Sequence, residues 1–529
     1  MNIDIFRGID NRQIFATPQG FLKKAENVLI DTTGMLHKMP GCKLISTPDP
    51  TEGKLKYSAT EFFYGIDMLQ NHDDYQDVLI AYAGRKNASF DTDEVLFPHI
   101  YNPAWTTDVD WKGLPWPSTI PVSLNAGVHE VQSPLSYLKR AYILANGFPV
   151  YYDAPNETFV DGTLVSKDYF DTELAEAISN GTITAEDAPT YVIPKGVYLE
   201  EHQSRMFLCG TGNRANMLLY TQPFSDNFYT LQGGVPVLLE VSVGQEGSAV
   251  GTVNDRLTVC KEWSEILYIF KERSIHRLIG DQLVNYYTTV VNKTVGCDKP
   301  RTLIRTQAGL IFTYKQEVYL LNNTTTRISD PVRKELTTLP STAGASLMDE
   351  RYYVLEWDEK TLIYDIQTGA WTTCTHRITG DDNYITDGTD IMRWGVGHKW
   401  KIGVDNTGGD SIPIYIDTGN YRYSDEIVPM DIVLTLQSAA RSQPLKIRMD
   451  NREHRVMQAA INSRPRIDQA LLDRDMIYDL PYDVVYTAPL VSGRSMRLII
   501  EHDDEYAYLL RAINCRLEPV DRQVPGEKA

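Results

Sequence analysis

Four acidic clusters are the first candidates for chemistry in this sequence: Asp73-Asp74, Asp91-Thr-Asp-Glu94, Asp381-Asp382 and His502-Asp-Asp-Glu505. Two or three carboxylates converging on one cavity can divide the acid, base and nucleophile roles of glycoside cleavage. Each cluster, however, stands beside turn-forming residues, where aspartate is favoured because its side chain bonds nearby backbone. None spells a DxDxDG calcium loop. We therefore read them as solvated turns.

Other signatures are missing as well. There is no P-loop, no HExxH and no GxSxG nucleophile elbow. Cys209-Gly-Thr-Gly-Asn-Arg-Ala215 contains a GxG, but without the strand–helix setting that dinucleotide binding needs it reads as a loop between strands. The histidines are dispersed, and Cys42, Cys209, Cys260, Cys297, Cys374 and Cys515 form neither a CxxC nor a Cys/His pair at zinc spacing. No catalytic residue, cofactor or metal ligand is expected. The cysteines read as buried free thiols of a protein made in a reducing cytoplasm.

The chain has 529 residues, with 51 basic against 70 acidic side chains and a formal charge of −19. Such a balance argues against general nucleic-acid binding, which draws its affinity from Lys and Arg, but suits a surface past which DNA slides. The N-terminal residues lack a basic start followed by an apolar stretch, and no apolar run approaches the ~20 residues that span a bilayer.

What positions these residues is a series of short strands. Tyrosine is frequent, at 31 against 15 phenylalanines and 8 tryptophans, which suits half-buried β surfaces. One helix stands out, Asp171–Ser179, with Asp171 as its cap and Gly181 as its stop. Elsewhere an alternating apolar strand, a polar turn and a second apolar strand recur. Examples are Arg205–Cys209 with Met217–Tyr220, Arg256–Cys260 with Ile266–Phe270, Leu310–Tyr314 with Val318–Leu321, and Tyr352–Leu355 with Thr361–Asp365. In the later units the spacing is roughly 40 to 55 residues, the length of a propeller blade. A lone four-stranded blade leaves both faces open, so blades must stack.

The expected fold is therefore all-β: a β-propeller of about six blades over 61–430, preceded by a β segment at 1–60 and followed by a small β module at 431–529. Two long excursions are expected, at about 86–140 and 155–195; such excursions from a rigid scaffold are usually functional or interfacial rather than idle. In the last module a basic stretch carries Arg441, Lys446, Arg448, Arg452 and Arg455, continuing to Arg464 and Arg466. These are candidates for a subunit interface.

Three segments in order resemble the tail hub or nozzle proteins of short-tailed bacteriophages, also called packaged-DNA stabilisation proteins. They are Ala25-Glu-Asn-Val-Leu-Ile-Asp-Thr-Thr-Gly34-Met-Leu-His-Lys-Met-Pro40-Gly41, then Trp263–Phe270 through Ala308-Gly-Leu-Ile-Phe312, and Arg511-Ala-Ile-Asn-Cys-Arg-Leu-Glu518. The resemblance implies a structural protein of the virion tail, not an enzyme. It implies a homohexameric ring below portal and adaptor proteins, with a needle, fibre or further tail protein beneath. Such a ring extends the DNA channel, retains the packaged genome and lets it pass at infection. Residues 86–195 have no counterpart in that family. The alternative reading is a carbohydrate-binding or glycan-cleaving β-propeller.

Overall fold

The computed structural model describes residues 2–12, 17–39, 42–46, 61–69, 78–86, 94–101, 112–113, 117–118, 135–138, 140–145, 147–153, 156, 158–244, 255–280, 286–340, 343–348, 350–357, 360–375, 383–386, 391–395, 398–402, 414–438, 444–449, 456–460, 482–487, 493–502 and 508–519, some strands by backbone pairing alone. It is a β protein made of several separate antiparallel sheets, with one α-helix and no closed barrel among the described residues.

Among the described residues, seven antiparallel units of four strands follow one another along the chain. The first is Glu61–Leu69, Val78–Lys86, Glu94–Tyr101 and Lys112–Gly113, and the second Leu135–Tyr137, Arg140–Ala145, Phe148–Asp153 and Thr158–Asp161. The third is Gly196–His202, Arg205–Gly210, Met217–Tyr220 and Glu240–Ser242, carrying an extra hairpin, Tyr229–Gln232 with Val235–Leu238. The fourth is Leu257–Trp263, Ile266–Lys271, Ile275–Ile279 and Tyr287–Asn292; the fifth Ile304–Thr306, Gly309–Tyr314, Glu317–Leu321 and Thr325–Arg327. The sixth is Gly344–Met348, Tyr352–Trp357, Lys360–Asp365 and Trp371–Cys374.

In the seventh, Asn383–Thr386, Ile391–Gly395 and His398–Ile402 are completed by Cys42–Ser46 from the N-terminal region. Sequence reading expects about six units. The seventh is hard to read because His398-Lys-Trp-Lys-Ile402 lacks an apolar run and its last strand lies hundreds of residues away. The first strand of each unit touches the first strand of the next, from the second unit to the seventh and from there to the first.

The strands form where the pattern demands. Arg205–Gly210 and Gly309–Tyr314 are buried along their whole length, as strands covered on both faces must be. Side chains such as Phe207, Phe270, Phe312 and Tyr353 are almost wholly buried. Each is worth about 1.5–3 kcal/mol in apolar burial.

The N-terminal residues run into the last part of the chain. Lys24–Glu26 pairs parallel with Trp371–Cys374 and antiparallel with Ile414–Asp417, extending the sixth unit into a nine-stranded sheet that continues through Leu498–His502 and Pro444–Met449 to Val456–Ala460. Asn2–Ile3 and Leu36–Lys38 both pair with Tyr508–Pro519, which also lies along Tyr421–Ser438. Ile3, Phe6, Leu22, Trp371, Ile416, Ile432, Ile500 and Ile513 share one core. Arg351 holds Asp365 through two nitrogens at 3.0 and 2.6 Å and also donates to the Ile30 carbonyl.

The stretch 86–140 supplies two strands of the first unit, and 155–195 holds the helix α1, Leu164–Ser179. Sequence reading started this helix at Asp171, and that is corrected: the N-cap is Thr163, and Asp171 lies mid-helix, bonded to Lys167. The first turns are unrecognisable because they offer only Ser166 and Phe170 to the core, too sparse a stripe to register as a period. Gly181 follows the C-cap Asn180 with φ +71°, as a stop residue should. No helix among the described residues is long and apolar enough to cross a membrane.

Candidate functional site

Among the described residues, a dense set of chemically capable side chains lies between the third and fourth units. Strand geometry sends alternate residues of Gly196–His202 to one face, which groups Tyr198, Glu200 and His202. Across from them, Leu257–Trp263 contributes Lys261 and Glu262. The Lys261 ammonium donates to Glu200 Oε2 at 2.8 Å, and the Glu262 backbone N–H donates to Glu200 Oε1 at 3.1 Å. His202 Nδ1 lies 2.7 Å from Glu262 Oε2. Glu200 and His202 are buried, whereas Lys261 and Glu262 keep about a quarter of their side chains accessible.

The electrostatics follow from this packing. Burial acts to lower the Lys261 pKa, but Tyr198 and Glu200 beside it outweigh that effect and raise it above its ordinary value, so the ammonium stays protonated. Burial pushes the Tyr198 hydroxyl well up, against the opposing effect of Lys261. Both Glu200 oxygens are thus engaged by donors in a dry seam. What the arrangement does well is join two sheets. Similar ties recur between other units. Tyr137 donates to the Ser204 and Ser225 carbonyls, Trp263 Nε1 to the Thr306 carbonyl at 3.1 Å, and Tyr353 to the Thr302 carbonyl at 2.9 Å.

A second cluster occupies the turn of the fourth unit: Asp255, Lys271, Ser274 and His276. Ser274 Oγ lies 2.7 Å from Asp255 Oδ2 and 3.1 Å from His276 Nε2, while His276 Nδ1 is buried without a partner. A serine nucleophile would need its carboxylate on the far nitrogen of the imidazole. Here the carboxylate meets the serine instead, so the arrangement is a turn brace. Burial first, and Lys271 second, push the His276 pKa below its ordinary value. Among the described residues no group of three His, Cys, Asp or Glu side chains is placed to hold a metal ion.

The residues singled out in the sequence fare unequally. Asp73-Asp74, Asp91–Asp93, Asp381-Asp382 and Asp503–Glu505 lie outside the described residues, as do Arg441, Arg452 and Arg455. Lys446 and Arg448 stand on the strand Pro444–Met449, Lys446 in register with Glu501 and Arg448 with Ile499. Cys209-Gly-Thr-Gly runs into a 3₁₀ turn at Gly212–Arg214 between two strands, as expected. Cys209, Cys260, Cys297, Cys374 and Cys515 are buried thiols outside any disulfide. The Glu200–Lys261 seam escapes sequence reading because its members sit ~60 positions apart and, within one strand, Glu200-Glu201-His202 reads as a solvated face.

No family model matches the chain, and no curated protein matches it. Among solved structures it is similar to the extracellular domain of the hybrid two component system BT4673 from B. thetaiotaomicron, at TM-score 0.40 and 9% identity, covering 93% of this chain and 61% of that one. The AfRom2 CNH domain gives TM-score 0.35 at 9% identity, over 68% of this chain and 98% of that one. An exo-beta-1,3-galactanase from Phanerochaete chrysosporium gives 0.22 at 9% identity, over 96% and 99%. Likeness at this level assigns no function.

Proposed function

We propose that this chain is a structural protein of a bacteriophage tail, a seven-bladed β-propeller of the hub or nozzle kind that assembles as a ring of six around the DNA channel. The observation that carries the architecture is the pairing of Cys42–Ser46 with His398–Ile402. A circular array of sheets stays closed only if its two ends are joined, and a strand from the start of the chain completing the last sheet does so. The succession of touching first strands, returning from the seventh unit to the first, agrees with this.

The tail role rests on the resemblance of residues 25–41, 263–312 and 511–518 to that family, and the charge of −19 suits a conduit that repels phosphate. Among the described residues, the carboxylates Glu200 and Glu262 are bound to Lys261 and His202, a pairing that suits a scaffold. The test is native mass measurement and negative-stain imaging of the full chain, alone and with portal protein. A six-membered ring is expected, and a compact monomer in every condition overturns the reading. Hydrolysis across a glycan panel that carboxylate-to-amide variants abolish would establish the alternative.

A further inference from the structure

Alternation divides the strand Arg205–Gly210 between two cores. Met206 and Leu208 join the core that holds Tyr142 and Phe170, whereas Phe207 and Cys209 join the one shared with Leu267 and Ile269 of the fourth unit. On the facing strand Leu257–Trp263, Val259 packs with Phe312 of the fifth unit, and Cys260 points back into the core of Phe207 and Cys209. Among the five cysteines whose side chains are described, these two alone share a core; Cys297, Cys374 and Cys515 each stand in a different one. Their neighbours meet as well. Cys209 is in register with Tyr198, and the Lys261 ammonium, one residue after Cys260, lies 5.9 Å from the Tyr198 ring centroid. The two thiols are direct hydrogen-bonding neighbours across the seam.

We propose that Cys209 and Cys260 are a redox pair, two reduced thiols that a small peroxide joins into a disulfide locking the third unit to the fourth. Hydrogen peroxide is uncharged and close to water in size, which suits passage into a closed seam. One cysteine sulfur attacks a peroxide oxygen, the O–O bond breaks, and a sulfenic acid and one water form. The second sulfur then attacks the sulfenic sulfur, the S–O bond breaks, and the oxygen leaves as a second water with the remaining thiol proton. The two sulfurs together give up two electrons, and these reduce the peroxide. Burial keeps the Cys260 thiol protonated, so the reaction is slow and quickens as pH rises. The link constrains the unfolded chain between the two positions and thereby stabilises the folded one. It concerns the single chain and does not rest on the ring. Under the tail reading, a particle built in a reducing cytoplasm acquires the link after release into an oxidising medium.

The experiment exposes the full, unaltered chain to hydrogen peroxide for hours at mildly alkaline pH. The chain is then denatured, remaining thiols are alkylated with iodoacetamide, and the peptides are mapped by mass. A peptide pair joined through Cys209 and Cys260, lighter by two hydrogen atoms and separated by dithiothreitol, is expected. The melting midpoint of the oxidised chain should rise by a few degrees and fall back on reduction. Cys297→Ala should keep both effects, and Cys260→Ala should lose both. Full alkylation of both cysteines after peroxide, linkage of either one to a different cysteine, or separate conversion of each to a sulfinic acid overturns the proposal. The map of the unaltered chain decides the matter even where a variant fails to fold, and none of these outcomes bears on whether the chain forms a ring.

Discussion

Gly8 lies directly against the backbone of Trp371. The N–H of Ile9 donates to the Trp371 carbonyl at 2.8 Å, and a Cβ on Gly8 would stand 2.7 Å from the Trp371 nitrogen. At this point the N-terminal segment is laid on the backbone of the last strand of the sixth unit, where Trp371 Nε1 donates to the Ile328 carbonyl.

Gly8 also has φ +90°, where a side chain is strained whatever the space. Gly8→Ala should therefore cost about 1–3 kcal/mol and loosen the N-terminal segment before the rest. Thermal melting read together with limited proteolysis checks this. An unchanged midpoint with no early N-terminal cleavage would show that the contact has slack.

The seam between the third and fourth units makes a second expectation. Glu200→Gln leaves the Lys261 ammonium without its anion in a largely buried place and should cost about 3 kcal/mol. Replacing both partners with apolar side chains, Glu200→Leu with Lys261→Met, should recover most of that loss, since a buried pair is often worth little more than good packing. Denaturant unfolding of the two variants decides it; a double variant less stable than Glu200→Gln would contradict the argument.

His276 makes the third, in pH. It is 4% exposed, and it faces Lys271, Asp255, Ser274 and Gly244. Its pKa in the folded chain lies below the ordinary value of 6.5, through burial first and Lys271 second. The unfolded chain therefore takes up a proton before the folded one. The resulting stability is complete above about pH 6.5 and declines as pH falls from there toward the folded pKa. His276→Gln should flatten this part of the profile. Melting midpoints of both proteins from pH 7.5 to 5 are the measurement, and parallel profiles would refute it.

The cysteines make the fourth. Cys209, Cys260 and Cys297 have no accessible surface, and Cys374 and Cys515 have very little. Burial raises the thiol pKa of Cys260 and Cys515, which removes the reactive thiolate. These five should resist iodoacetamide in the native chain and react fully in denaturant. Peptide mass mapping reads each site, and native labelling at Cys209 or Cys260 would mean that the third and fourth units open readily.

How much of this was legible beforehand depends on the range over which each feature is encoded. The strands Arg205–Gly210, Ile266–Lys271, Gly309–Tyr314 and Tyr482–Thr487 all match apolar runs, because a strand's side-chain alternation is written in the residues themselves. The later half of α1 is legible from Asp171 to Ser179, and its first turns are not. The candidate seam was not legible at all. Glu200 and Lys261 look like ordinary solvent-facing positions until the two strands are brought side by side.

The residues by themselves therefore determined the all-β class, the repetition of strand units and the buried thiols, each a consequence of local pattern and composition. Only the tertiary structure decided which strands close which sheets: Cys42–Ser46 beside His398–Ile402, Lys24–Glu26 between Trp371–Cys374 and Ile414–Asp417, and Gly8 on Trp371. Backbone hydrogen bonds are the same for any pair of strands, so partner choice over hundreds of residues comes from side-chain packing in the shared core.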